Sequence, residues 1–88
     1  MLQGPPSKTV YVAADGSIQY ENQRVTPEQL AILLSQAVRN YPETSVQLKP
    51  DAKVEYQPLS SVLVAIQQSG ARFHGLGNAS YQMPTTRR

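Results

Sequence analysis

Between Thr9 and Ala14 apolar and polar side chains alternate. Val10 and Val12 share one side and Thr9 and Tyr11 the other, which is the period of a strand with one buried face. Asp15 and Gly16 then supply residue types suited to a left-handed turn, and Ile18 and Tyr20 of "SIQY" resume the alternation. This pattern predicts an antiparallel hairpin. Thr26, Pro27 and Gln29 next stand where an N-cap, a first helical residue and the third member of a capping box belong. Val25 and Leu30 flank them as a hydrophobic staple. Leu30, Leu33, Leu34, Ala37, Val38 and Tyr41 recur at helical spacing, so the predicted helix has one apolar stripe, ended by Pro42.

The second half repeats the change of period. "SVQLK" sets Val46 and Leu48 on one side of a strand that Pro50 terminates, because proline withholds a ladder donor. Pro58 opens a second predicted helix with Leu59, Val62, Leu63 and Ile66 as its buried stripe and Gly70 as a left-handed C-cap. "ARFHGL" reads as another strand, and "ASYQM" as a short additional one. Two helices that are each apolar on one side only cannot both be central. The prediction is therefore an α+β two-layer sandwich, a mixed sheet of four or five strands with two helices on one face. A right-handed parallel crossover links "SVQLK" to "ARFHGL".

Composition fits this small domain. The chain has 88 residues with 40% hydrophobic content, enough for a single core. Residues 1–8, with Pro5 and Pro6, read as a linker, 9–77 as the folded domain and 78–88 as a C-terminal tail. The net charge of +2 is scattered apart from Arg87 and Arg88, with no basic stripe interleaved with aromatics, so no nucleic-acid partner is expected. Absence of cysteine excludes disulfides, thiolate catalysis and thiolate metal sites. No stretch approaches the roughly 20 apolar residues of a membrane helix.

Candidate chemistry is sparse. Asp51 between Lys49 and Lys53 sits in a polar loop flanked by prolines, which favours a solvated turn over a tuned carboxylate. His74 is the single histidine and has no carboxylate at ligand spacing, so it reads as a partly packed strand side chain and no metal is expected. "GLG" at Gly75 to Gly77 lacks the strand-then-helix setting of a phosphate loop. Tyr11, Tyr20, Tyr41, Tyr56 and Tyr81 fall on different elements, and no Gly-x-Ser-x-Gly elbow activates a serine. Neither an enzymatic activity nor a cofactor is expected.

Order and spacing carry a resemblance. "VYVAADGSIQYENQRVTPEQL" followed by "SVQLKPDAKVEYQPLSSVLVAIQQSGARFHGLG" is similar to the periplasmic domain of the ExbD/TolR family. Asp15, Gly16, Ile18, Asn22 and Val25 match its first part, Asp51, Val54 and Tyr56 the segment before the second helix, and Gly70, Gly75 and Leu76 its end. Gln23 and His74 depart from it, standing where the family usually has glycine and an aliphatic residue.

The resemblance implies a non-enzymatic accessory subunit of a proton-driven motor, anchored to the inner membrane with this domain in the periplasm. A transmembrane helix bearing one aspartate is then expected upstream, where it would join an ExbB-like membrane subunit. An ExbD-like chain implies a TonB-like periplasmic partner and uptake of iron-siderophores or haem. The alternative is a TolR-like subunit of the Tol-Pal system, which implies contacts with peptidoglycan. A small sheet with exposed edges can accept an extended peptide as an added strand or pair two copies as a homodimer. The expected partner-binding residues are Val10, Tyr11, Val12, Ala13, Ile18, Tyr20, Phe73, His74 and Leu76.

Overall fold

The computed structural model describes residues 6–76. The linker reading of residues 1–5, the "ASYQM" strand, Gly77 and the tail to Arg88 lie outside the described residues. Along the chain come β1 (Ser7–Val12), β2 (Ile18–Tyr20), β3 (Gln23–Val25), α1 (Pro27–Asn40), β4 (Ser45–Pro50), α2 (Tyr56–Ser69) and β5 (Arg72–Leu76). The strands form one mixed sheet in the order β3-β2-β1-β4-β5. β1 pairs antiparallel with β2 and parallel with β4, and β4 pairs parallel with β5. The predicted two-layer α+β class is the one observed, and the parallel pairing of "SVQLK" with "ARFHGL" is present.

One described strand is not among the expected ones. It is β3, joined to β2 by a turn at Glu21 and Asn22 whose φ values are 51° and 66°. A two-residue turn with both positions left-handed matches the natural twist of a hairpin, and asparagine tolerates that conformation well. Lys8 Nζ donates to Glu21 Oε2 at 2.8 Å and ties the turn to β1. β1 itself begins at Ser7 because it runs beside β4 from its first residue, with Ser7 opposite Ser45. The amide of Ser45 also donates to the carbonyl of Pro6 at 3.0 Å.

α1 starts as its residues require. Thr26 Oγ1 accepts from the Gln29 amide at 3.1 Å, and the Gln29 side chain accepts from the Thr26 amide at 2.9 Å. Its predicted stripe is one residue too long at the C-terminal end. Leu30 and Leu34 are fully buried, but Tyr41 is the C-cap with extended backbone and is 61% exposed. The helix has already ended at Asn40, so helical phase no longer points residue 41 at the core. α2 begins at Tyr56, two residues before Pro58. The first helical amides have no partner within the helix, so proline fits within the first turn as well as at its start. Gly70 closes α2 at φ 83°.

Leu59, Val62, Ala65 and Ile66 of α2 join Leu30 and Leu34 over Val10, Val12, Ile18, Tyr20, Val46 and Leu48 of the sheet. Thr44 is also fully buried; its hydroxyl donates to the Tyr41 carbonyl at 2.6 Å, so no polar atom is stranded there.

Candidate functional site

Asp51 settles as a turn residue. Its Oδ1 accepts from the Lys53 amide at 2.8 Å, and its carbonyl accepts from the Val54 amide at 3.1 Å. Its own amide donates to the Val12 carbonyl at 2.7 Å, which anchors the loop to the end of β1. The side chain stays exposed. This is an Asx-type turn leading into α2, the structural role that a short polar side chain performs best.

Three ionisable groups respond to their surroundings. The Ser17 amide donates to Asp15 Oδ1 at 2.9 Å and holds that carboxylate below its ordinary range, with Arg24 nearby adding to the effect. The hydrogen bond to Glu21 raises the Lys8 ammonium. Burial raises the Tyr20 phenol, and the Glu21 charge acts in the same direction. None of these groups stands in a cluster resembling a nucleophile with its base. Among the described residues no three His, Cys, Asp or Glu side chains converge on a common point. An open hollow of about 700 Å³ between the start of α1 and the length of α2 is lined by residues including Pro27, Glu28, Tyr56, Ser60, Val64 and Gln68 and presents one carboxylate without a partner base.

The sheet edges remain as sites for strand addition, and topology narrows them. β1 has β2 on one side and β4 on the other, and β2 lies between β1 and β3. Neither strand has an edge open to an added strand, contrary to the expectation that Val10, Tyr11, Val12, Ala13, Ile18 and Tyr20 could bind one. Val10, Val12, Ile18 and Tyr20 are moreover core residues, each at most 3% exposed. Tyr11 is half-exposed on the other face of the sheet, where Lys49 Nζ lies 5.8 Å from its ring centre. Ala13 belongs to the hairpin turn, its amide donating to the Ser17 carbonyl at 2.9 Å. Alternation marks which face of a strand is buried and carries no information about its neighbours, which is why these residues looked equivalent to a true edge.

The outermost strands are β3 and β5. β3 has only three residues, a short edge that offers few backbone groups to an added strand. β5 has five residues, Arg72 to Leu76, and includes the predicted residues Phe73, His74 and Leu76. Arg72 lies opposite Ser45, Phe73 opposite Val46, Gly75 opposite Gln47 and Leu76 opposite Leu48, with a shift of register after Phe73. The Arg72 amide donates inward to the Thr44 carbonyl at 3.0 Å. Backbone groups of successive strand residues point to opposite edges, so the amide and carbonyl of Phe73 face away from β4. The Phe73 side chain is 46% exposed. Among the described residues no strand pairs with this outer edge of β5, which could not be identified without the strand order.

No helix among the described residues is long and apolar enough to cross a membrane. No individual curated protein matches the chain. A family model described as biopolymer transport protein ExbD/TolR matches residues 2–78. The match spans every strand and helix described above, the two hairpin turns, the Asp51 turn and the Gly70 cap. The chain therefore belongs to the ExbD/TolR family of biopolymer transport proteins.

Proposed function

We propose that this domain is the partner-engaging periplasmic part of an ExbD-like accessory subunit, working beside an ExbB-like membrane subunit in a proton-driven inner-membrane motor. It takes up an extended segment of a TonB-like protein as an added strand on β5 and so passes conformational work toward outer-membrane transport of iron-siderophores or haem. The family role in biopolymer transport supports the setting. The observation that carries the binding mode is the β5 edge, with Phe73 half-exposed on an outermost strand. A motor component has to release its partner in each cycle, so affinity should be on the order of micromolar or weaker.

An amide-shift titration with a periplasmic TonB-like fragment tests the proposal. The largest shifts are expected along Arg72 to Leu76 and the adjoining Ser45 to Leu48. Shifts confined to the outer faces of α1 and α2, or no response at millimolar fragment, would refute strand addition.

A TolR-like reading, with peptidoglycan as the ligand, finds support in the other face of the sheet. There Tyr11, Gln19, Gln47 and Lys49 offer an aromatic ring, amides and a cation on neighbouring strands. Cosedimentation with sacculi, weakened by Tyr11→Ala and unaffected by changes in β5, would favour that reading over the first. A homodimer formed through β5 would compete with the added strand, so dilution should strengthen partner binding.

A further inference from the structure

We infer that the segment accepted by β5 alternates acidic and apolar side chains, the acidic ones aligned with Arg72 and the apolar ones with Phe73. The inference rests on strand addition at β5 as proposed above, and adds the chemistry of the occupant.

Charge distribution on the sheet is one-sided. No aspartate or glutamate lies in any of the five strands, because the six acidic residues Asp15, Glu21, Glu28, Glu43, Asp51 and Glu55 all fall in turns or at helix starts. The strands nevertheless carry Lys8, Arg24, Lys49 and Arg72. Two of these cations are matched: Lys8 pairs with Glu21 at 2.8 Å, and Arg24 approaches Asp15 at 3.9 Å. Both matched cations belong to the β1–β2–β3 half. Lys49 and Arg72 on β4 and β5 form no ion pair among the described residues, so unneutralised positive charge gathers on the β5 side of the sheet.

Register assigns faces to the two edge side chains. Phe73 lies opposite Val46, a fully buried residue on the helix side, whereas Arg72 lies opposite Ser45 and shares the other face with Gln47 and Lys49. A strand added to β5 would run roughly 4.8 Å away, with side chains alternating between the same two faces. Those on the helix side would cover the exposed part of Phe73, which favours apolar residues. Those on the other side would sit beside Arg72, with Lys49 two strands across and four residues along, roughly 16 Å away and well beyond the screening length at physiological salt. Arg72 therefore sets most of the preference, and a basic residue there would face an unneutralised like charge.

The test titrates the 88-residue chain with three capped peptides of equal length, in which valine alternates with glutamate, glutamine or lysine. Amide shifts on β5 are expected with all three, and the glutamate peptide should bind about three- to tenfold more tightly than the lysine peptide at low salt. High salt should reduce that ratio, Arg72→Gln should nearly abolish it, and Arg72→Glu should reverse it. Arg72 is exposed, so these variants are expected to retain the amide spectrum of the parent fold. Equal affinities with shifts on β5 would overturn the charge rule and leave strand addition standing. Failure of all three peptides to bind, or shifts centred on β3, would overturn both.

Discussion

Replacing Gly70 with valine isolates a backbone cost. Gly70 ends α2 with φ 83° and ψ 2°, and its amide donates to the Gln67 carbonyl at 3.3 Å. A β-carbon built there would meet no heavy atom within 4 Å, so no collision contributes. What remains is the left-handed conformation itself, which costs an L-residue about 1–2 kcal/mol and a β-branched one the upper part of that range. Stiffening the unfolded chain returns about 0.4–1 kcal/mol. The net expectation for Gly70→Val is a loss of about 1 kcal/mol. Asparagine adopts left-handed backbone readily, so Gly70→Asn should lose only a few tenths. Asp51→Asn provides the contrast, because the new side chain keeps the oxygen that accepts from the Lys53 amide, and the change should stay within about 0.5 kcal/mol. Urea unfolding, with a slope of about 1 kcal/mol/M for a domain this small, would place the Gly70→Val midpoint about 1 M below the parent. Equal midpoints for Gly70→Val and Asp51→Asn would refute the reasoning, as would a Gly70→Asn variant no better than the valine.

Three further outcomes follow from the same geometry. Gly16→Ala should destabilise more than Gly70→Ala, since Gly16 combines φ 90° with a β-carbon position only 3.1 Å from Pro58 Cβ; paired thermal melts compare them, at about 4–8 °C per kcal/mol. Thr26→Ala removes the side-chain half of the capping box and should cost about 1 kcal/mol in chemical denaturation, with Thr26→Ser recovering most of it. The folded-state carboxylate of Asp15 lies below its unfolded value of 3.8, so its contribution is present above that pH and is lost as pH falls through the lower folded value. Acid titration of stability should therefore be shallower in Asp15→Ala than in the parent below about pH 4.

Local chemistry made much of this fold legible. Thr26, Pro27 and Gln29 marked the start of α1 because a capping box is satisfied within four residues, and Gly70 marked the end of α2 because one left-handed residue suffices. Asp15 and Gly16 announced the first hairpin, and the strand and helix stripes identified most of the buried residues, though not Val54 or Ala65, while Leu33 and Leu63 of those stripes are only partly buried. The modest role of the Asp51 side chain could also be read, since its partner, the Lys53 amide, is only two residues away. Features without such a local signal needed the folded chain. β3 has three residues, too few for alternation to register, and becomes a strand because β2 lies beside it. Ser7 and Lys8 extend β1 because β4 runs alongside them. Above all, the candidate site depended on strand order. The apolar alternation of β1 resembles that of an edge strand, yet β1 is enclosed by β2 and β4 while β5 is outermost among the described residues. The physical reason is that side-chain periodicity records burial of a face, whereas neighbours are chosen by backbone groups that nearly every residue possesses, and by the global packing of two helices over the sheet.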